Sequence, residues 1–490
     1  MSAPVIVVGA GMGGLGAAMA LAAQKVPVVL IDRQSSPGGK MRQLTVAGQS
    51  IDAGPTVFTM PWVFQALFDN AGLAFDDYVQ LLPAHLLARH SWIDSESLDL
   101  YPDLEASLQA ISEFASDQDA DNYRRFAHET EKVFNTLDYS FMRAQKPNPV
   151  SLSVSHGLRG MLDMLDTRPF ISLWKHLARR FKDPRLQQLF ARYATYCGSS
   201  PFKAPATLML IAHVERAGVH LVAGGMNGLA DGMAKALNTL GVESRFGAHV
   251  ASIDVQADKV SGVTLDTGET LSARAVVFNG DTQALATGLL GEPARRACSL
   301  RSDASLSAIT HCQVAKTSGY DLAHHTVFFG DDYEDEFDSI FNRQTITQHP
   351  TVYVCAQDRG NLNSTIPEFE RLFCLINAPA ATMNTQSIDD AISRLHSNLQ
   401  RQGLSISHSQ GESIVTRPDD FNDLIPASDG ALYGRPTHGW YGSFNRPGAK
   451  SKLDNLYLCG GSVHPGPGVP MATLSGQLAA ERLCQDLAIT

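Results

Sequence analysis

The chain is poor in most of the devices that announce a function. Its seven cysteines, at 197, 298, 312, 355, 374, 459 and 484, are odd in number and never spaced as CxxC or with histidines at metal-ligand intervals. That excludes a disulfide scaffold and a zinc module, and predicts free, mostly buried thiols in a reducing compartment with no bound metal. Among sixteen histidines there is no HExxH pattern. His324 and His325 are adjacent, so as neighbours in a strand they are expected to point to opposite faces. No GxSxG or other acyl-transfer signature appears. Positive charge is short: 39 Lys and Arg against 50 Asp and Glu leave a net charge of −11. With no aromatic-basic RNA-binding motif either, nucleic-acid binding is not expected. Long apolar runs are also missing. Met1 to Gln24 carries no charge, but five glycines between Gly9 and Gly16 break it and no basic segment precedes it, so neither a signal peptide nor a spanning helix is predicted. The expected location is cytoplasmic.

What is present is concentrated at the start. Val5 to Val8 is a β-branched run that meets Gly9, Gly11 and Gly14, and after an alanine-rich stretch a second apolar run, Val28 to Ile31, ends at Asp32. Strand, glycine turn, helix, strand and acid form the order of a dinucleotide-binding unit. Gly9 allows the turn, Gly11 lets backbone approach a pyrophosphate, and Gly14 lets the helix pack on the sheet, while Met12 and Gly13 belong to the helix N-terminus that faces the phosphates. Asp32 is placed to accept from a ribose. The motif alone does not separate FAD from NAD.

The residues after Asp32, Arg33 to Arg42 (RQSSPGGKMR), resemble the second glycine pair of the flavin oxidoreductase superfamily. That resemblance implies FAD, with Arg33, Gly38, Gly39, Lys40, Met41 and Arg42 around it. Gly48 to Thr56 resembles the G-x-x-x-D-x-G-P-T signature of carotenoid desaturases, which brings Gly54, Pro55 and Thr56 back to the cofactor. Near the C-terminus, Gly460-Gly-Ser-Val-His-Pro-Gly-Pro-Gly-Val-Pro470, followed by Ser475-Gly476, is similar to the closing signature of the bacterial phytoene-desaturase family. There Gly461, Ser462, Gly468, Val469 and Met471 are implied to wall the flavin, and Val250 to meet the adenine through its backbone.

The implied fold is α/β, α+β overall. A discontinuous Rossmann-type FAD-binding domain (1–70, 219–290 and 430–490) is interrupted by a helical insertion (71–218) and a mixed-sheet substrate domain (291–429). Leu104, Leu108, Ile111 and Phe114 carry helical spacing, and Lys146-Pro-Asn-Pro149 interrupts it. His156 to Arg192 is locally basic. Ile171, Trp174, Ala178 and Phe181 are expected on one helical face, with Lys175, Arg179 and Lys182 on another, a pattern that suits either an anionic membrane surface or a solvated face over a core. The acidic run Asp331 to Asp338 reads as a solvated loop.

Ala191 to Tyr196, Val277 to Asp281, Leu322 to Gly330 and Pro470 to Gly476 look like the branch that desaturates acyclic 1-hydroxycarotenoids between C3 and C4. The branch implies hydride transfer from C3 or C4 to flavin N5 and proton loss from the adjacent carbon, by a protein peripherally attached to the membrane that holds the acyclic carotenoid. A multi-step phytoene-type desaturase or isomerase, or a prenyl-lipid carrier of similar fold, are the alternatives. No catalytic base is identified by spacing. His464 is the one polar candidate on the flavin side, with fastening of its loop as the competing role.

Overall fold

A computed structural model describes residues 3–93, 96–148, 164–360 and 365–489. Pro149 and residues 156–163 of the basic stretch lie outside these. The first strand β1 (Val5–Val8), the helix α1 (Met12–Ala23) and the strand β2 (Val28–Asp32) form the expected unit. β1 lies at the centre of a five-stranded parallel sheet, between β2 and Ala275–Phe278, with Glu243–Phe246 and Leu456–Leu458 at the edges. Both faces are covered, which is why β1 reads as a continuous Val/Ile run rather than an alternating one. The last helix, Val469–Asp486, crosses α1 at very short range: a Cβ on Gly476 would lie 2.0 Å from the Gly13 carbonyl oxygen, and one on Gly16 would lie 2.8 Å from that of Thr473. The small residues of both helices are therefore a packing requirement.

The second sheet has seven strands in the spatial order Ser405–Thr416, Ser307–Ser318, Glu370–Ala378, Val352–Ala356, His325–Phe328, Ala88–Ser91 and Ser97–Leu100. Its period-2 alternation sorts side chains cleanly. Val352, Val354, Leu372, Cys374 and Ile376 form a core with the amphipathic helix Thr385–Arg401, whereas Thr351, Tyr353, Phe373 and Leu375 face a large cavity.

Three expectations need correction. The hairpin Ala88–Leu100 joins the seven-stranded sheet by pairing Ala88–Ser91 with His325–Phe328, so within the segment 71–218 the α-helices begin only at Leu104, after the expected helix Pro61–Asn70. Its strands are too short for periodicity to mark them. The acidic run is a helix, Tyr333–Asp338, started by the Asp332 side chain accepting from the Asp335 N–H. Its Glu336 is buried and accepts from the Thr351 N–H and hydroxyl at 3.1 and 2.7 Å. Finally, the basic helix runs only from Leu173 to Arg180 and buries Leu173, His176 and Leu177. Ala178 is exposed, Phe181 is buried beyond the helix end, and the Trp174 ring packs on Phe202 with 4.7 Å between centroids. Its apolar side is thus spent on the interior, while Lys175, Arg179 and Lys182 face solvent.

Candidate active site

β1 ends in Gly9, whose φ of +99° and position, where a Cβ would come within 2.9 Å of the Asn279 carbonyl oxygen, admit no side chain. One residue on, the Ala10 N–H donates to Asp32 Oδ2 at 2.5 Å, and the Gln34 N–H donates to Oδ1 at 2.7 Å. Burial raises the Asp32 pKa, and those two backbone bonds act in the opposite direction. The carboxylate therefore ties the glycine turn to the end of β2. Gly11 and Gly38 form a parallel bridge that brings the second glycine pair against the first. Gly14 is turned inward, where a Cβ would be 1.8 Å from the Gly9 carbonyl oxygen.

Two helices begin on this cleft, α1 after Gly11 and Val469–Asp486 after Gly468, and neither N-cap has a side-chain acceptor. Their free N–H groups are left for a ligand, and the dipoles favour one that carries negative charge. Lys40 reaches in from the Gly38-Gly39 turn and donates to the Leu432 carbonyl. Desolvation pushes its ammonium down to about 8, against the pull of Asp281.

These groups open on one cavity of about 810 Å³. Every residue expected to touch the cofactor lines it except Gly14, which serves packing, and Arg42. The Arg42 guanidinium instead donates to Thr416 Oγ1 at 3.0 Å and lies 5.9 Å from the Phe421 ring centroid, so it braces the seven-stranded sheet. A glycine pair followed by a basic residue could not distinguish these positions. Of the two roles expected for His464, its contacts match the fastening of its loop. It is buried outside the cavity lining, with Nε2 2.9 Å from the Phe141 carbonyl oxygen, and burial pushes its pKa down to about 4. It fastens its loop.

Asn279 escaped the sequence reading. Its Nδ2 donates to the Gly9 carbonyl at 3.1 Å, and its Oδ1 lies where Cβ atoms on Gly13 or Gly460 would collide with it. It thus links both glycine turns. Arg446 also escaped it, donating to the carbonyls of Tyr433 and Gly461 at 2.9 and 3.0 Å. Asn279 could have been suspected from its place directly after a buried parallel strand, where α/β sheets present ligand contacts.

Away from the glycines the cavity becomes an apolar chamber walled by Leu208, Ile211, Val214, Val327, Phe373 and Leu375. Two of the polar groupings that interrupt it gather titratable side chains. In one, Tyr353 hydroxyl is 2.6 Å from Thr56 Oγ1 and 2.7 Å from His325 Nδ1. The His324 and His325 rings do not diverge. The strand begins at His325, which frees His324 to turn back, and the rings meet edge to face at 4.5 Å. His324 Nε2 is 3.5 Å from Cys355 Sγ, and its Nδ1 donates to the Arg359 carbonyl at 2.6 Å. His324, His325 and Cys355 thus bring possible ligand atoms within 4.8 Å of one another, a gathering that spacing did not reveal.

In the other grouping, Tyr196 hydroxyl donates to Glu215 Oε1 at 3.1 Å and Tyr193 hydroxyl donates to Oε2. Arg192 Nη1 donates to the Tyr196 hydroxyl at 2.7 Å, and its Nη2 is 3.5 Å from Glu215 Oε1. Burial disfavours the guanidinium charge, but Tyr196 and Glu215 outweigh it and the pKa is raised.

The family described as flavin containing amine oxidoreductase matches residues 12–484. The hydroxyneurosporene desaturase of Rubrivivax gelatinosus is 46% identical over 492 residues, spanning 99% of this chain and 93% of that protein. The hydroxyneurosporene desaturase of Cereibacter sphaeroides is 40% identical over 488 residues, spanning 99% and 98%. The crystal structure of an oxidoreductase from Methanosarcina mazei, 16% identical, superposes with a TM-score of 0.61 over 96% of this chain and 98% of that one, a likeness of fold. The cradle fits FAD on its own geometry, with turns closed to any Cβ, two uncapped helix N-termini and an acid at the end of β2. The chain belongs to the flavin-containing amine oxidoreductase family, in its carotenoid-desaturase group, and is an FAD-dependent oxidoreductase.

Proposed function

We propose that the protein introduces the C3–C4 double bond into acyclic 1-hydroxycarotenoids. The observation that carries this reading is the continuity of the FAD cradle with a chamber of aliphatic and aromatic side chains. A polyene offers an enzyme no carbonyl and no acidic proton, so its binding rests on burial of apolar surface, about 25 cal/mol per Å². The names of the relatives, 46% and 40% identical, support the 1-hydroxylated class. FAD, when bound, supplies the two-electron acceptor for a hydride leaving C3 or C4. The chain then has three tasks: to hold FAD through Gly9 to Gly13, Asp32, Lys40 and the Gly461 to Met471 loop, to keep the polyene straight against Phe373 and Leu375, and to exclude water while the adjacent carbon loses its proton.

The substrate reaches the chamber from a bilayer, with the protein peripheral on the cytoplasmic side. Trp440, at the cavity lining, is 48% exposed, Phe170 beside it is 70% exposed with 5.6 Å between ring centroids, and Tyr441 is 43% exposed. Lys175, Arg179 and Lys182 follow Phe170 in sequence, at 5, 9 and 12 positions, and add positive charge at the surface. Aromatic rings beside cations suit an anionic interface. Among the described residues no helix is long and apolar enough to cross a membrane.

The test is anaerobic mixing of the flavin-loaded protein in lipid with a 1-hydroxylated acyclic carotene. Loss of oxidised-flavin absorbance with a red shift of the polyene bands is expected. Bleaching by phytoene alone would replace this reading with the multi-step phytoene desaturase, and no bleaching by either would point to a carrier.

A further inference from the structure

We propose that Arg192, Tyr196 and Glu215 form the subsite that takes the tertiary hydroxyl of the substrate. The inference rests on the function proposed above and assigns its specificity to named side chains. All three line the chamber. Arg192 and Tyr196 come from the short helix Arg192–Cys197, Glu215 from Leu210–Arg216. Arg192 is 8% exposed and Glu215 4%.

A charge pair set into an apolar wall is costly, and an ion pair kept only for structure recovers the cost by closing its hydrogen bonds on itself. This one does not close. Nε and Nη2 of Arg192 are buried without a hydrogen-bond partner; for Nη2 the 3.5 Å approach to Glu215 Oε1 leaves only the ionic contact. Two donors with no acceptor therefore lie beside a carboxylate, within the wall of a chamber otherwise suited to hydrocarbon. A hydroxyl completes the arrangement, since its oxygen accepts from the guanidinium while its O–H donates to Glu215. A methyl ether can only accept, and a hydrocarbon end leaves both partners unsatisfied.

The position also suits the chemistry. A hydroxyl on C1 is separated from C3 by two carbon–carbon bonds, so fixing the oxygen fixes which C–H bonds meet the acceptor. The subsite is thus a positioning device as well as a filter.

The experiment compares a 1-hydroxylated acyclic carotene, its 1-methoxy ether and the same polyene lacking the oxygen. Equilibrium binding is read from the shift of the polyene bands, and KM and kcat from product spectra. The wild-type protein is expected to bind in that order, with about ten- to hundredfold between the first and the last. Arg192→Met combined with Glu215→Gln, which removes both charges, should erase that preference, lowering the affinity for the hydroxylated carotene and not that for the polyene without oxygen, which no longer buries unsatisfied charge. Arg192→Lys should restore part of it, and Tyr196→Phe, which frees one Glu215 lone pair, should retain it. An Arg192→Met/Glu215→Gln protein that keeps its flavin and still discriminates would overturn the subsite. Failure of the proposed function is visible separately, in a wild-type protein that neither binds nor bleaches with the hydroxylated carotene.

Discussion

The cradle and the chamber share one cavity but are built in opposite ways. The cradle is backbone: Gly9, Gly13 and Gly460 are shaped by where a Cβ cannot go, and its donors are N–H groups at two helix starts. The chamber is side chains, brought to one wall from Leu208–Val214, Val327, Phe373–Leu375 and Trp440. A backbone site demands glycine at fixed spacing and so leaves a motif. A side-chain site demands only suitable volume, and many sequences supply that.

The largest effect expected from breaking this contrast is at Gly14. Gly14→Val forces atoms into the Gly9 carbonyl, 1.8 Å from the Cβ position. It should cost about 3 kcal/mol by overpacking and give protein without flavin, read from visible absorbance against protein content and from the melting temperature. Phe373→Leu, a comparable loss of apolar contact in the chamber, should keep flavin and raise KM. Equal flavin loss in both variants would dissolve the distinction.

Next comes the pH dependence of cofactor binding. Lys40, held near 8 by desolvation, loses its proton more readily than in the unfolded chain, whose lysine titrates at 10.5. Between those values the unfolded state binds more protons, so the stability of the flavin-free protein should rise with pH across that window. An anionic group of FAD beside Lys40 favours the charged form and draws a proton in on binding. FAD affinity should therefore fall above pH 8, by up to about tenfold per pH unit, and the slope should vanish in Lys40→Met. Fluorescence titration of the flavin-free protein measures it, and an unchanged slope in the variant would remove Lys40 from the anion site.

The same contrast explains what could be read in advance. Gly9, Gly11, Asp32 and the Gly460 to Gly468 loop were legible because each meets a steric or hydrogen-bonding demand that few residue types satisfy. Arg42 was misplaced because a surface-like basic residue satisfies many demands, among them a strut to Thr416. The Arg192, Tyr196 and Glu215 cluster was invisible as a site. Its members are separated by up to 23 positions, and only tertiary packing shows that Arg192 has donors left over. The fold was legible where strands were long or both-face buried, as at β1, and not at the four-residue strands Ala88–Ser91 and Ser97–Leu100, which neither alternation nor composition singles out.

For the exposed aromatic and basic side chains, salt should separate the two kinds of contact. Lys175→Glu with Arg179→Glu reverses exposed charge and should weaken pelleting with anionic vesicles by about tenfold or more at low salt, with no effect on neutral vesicles. Phe170→Ser with Trp440→Ser removes apolar contact and should weaken both by about tenfold, independently of salt. Unchanged pelleting in both pairs would remove these side chains as a membrane contact.

The smallest effect is expected at His464, where a motif residue tests whether the cradle's side chains do chemistry or hold backbone. Its Nε2 contact with the Phe141 carbonyl can be reproduced by a glutamine amide. Burial holds its imidazole near 4, well below the ordinary 6.5, so the folded protein keeps it neutral while the unfolded chain takes up a proton between those values. That contribution to stability is present above pH 6.5 and is lost as pH falls toward 4. His464→Gln should keep kcat within about threefold, because no proton transfer is removed, and should flatten the fall in melting temperature between pH 6.5 and 4. A general base at this position predicts the reverse, a loss of about a hundredfold or more in kcat with little change in acid stability.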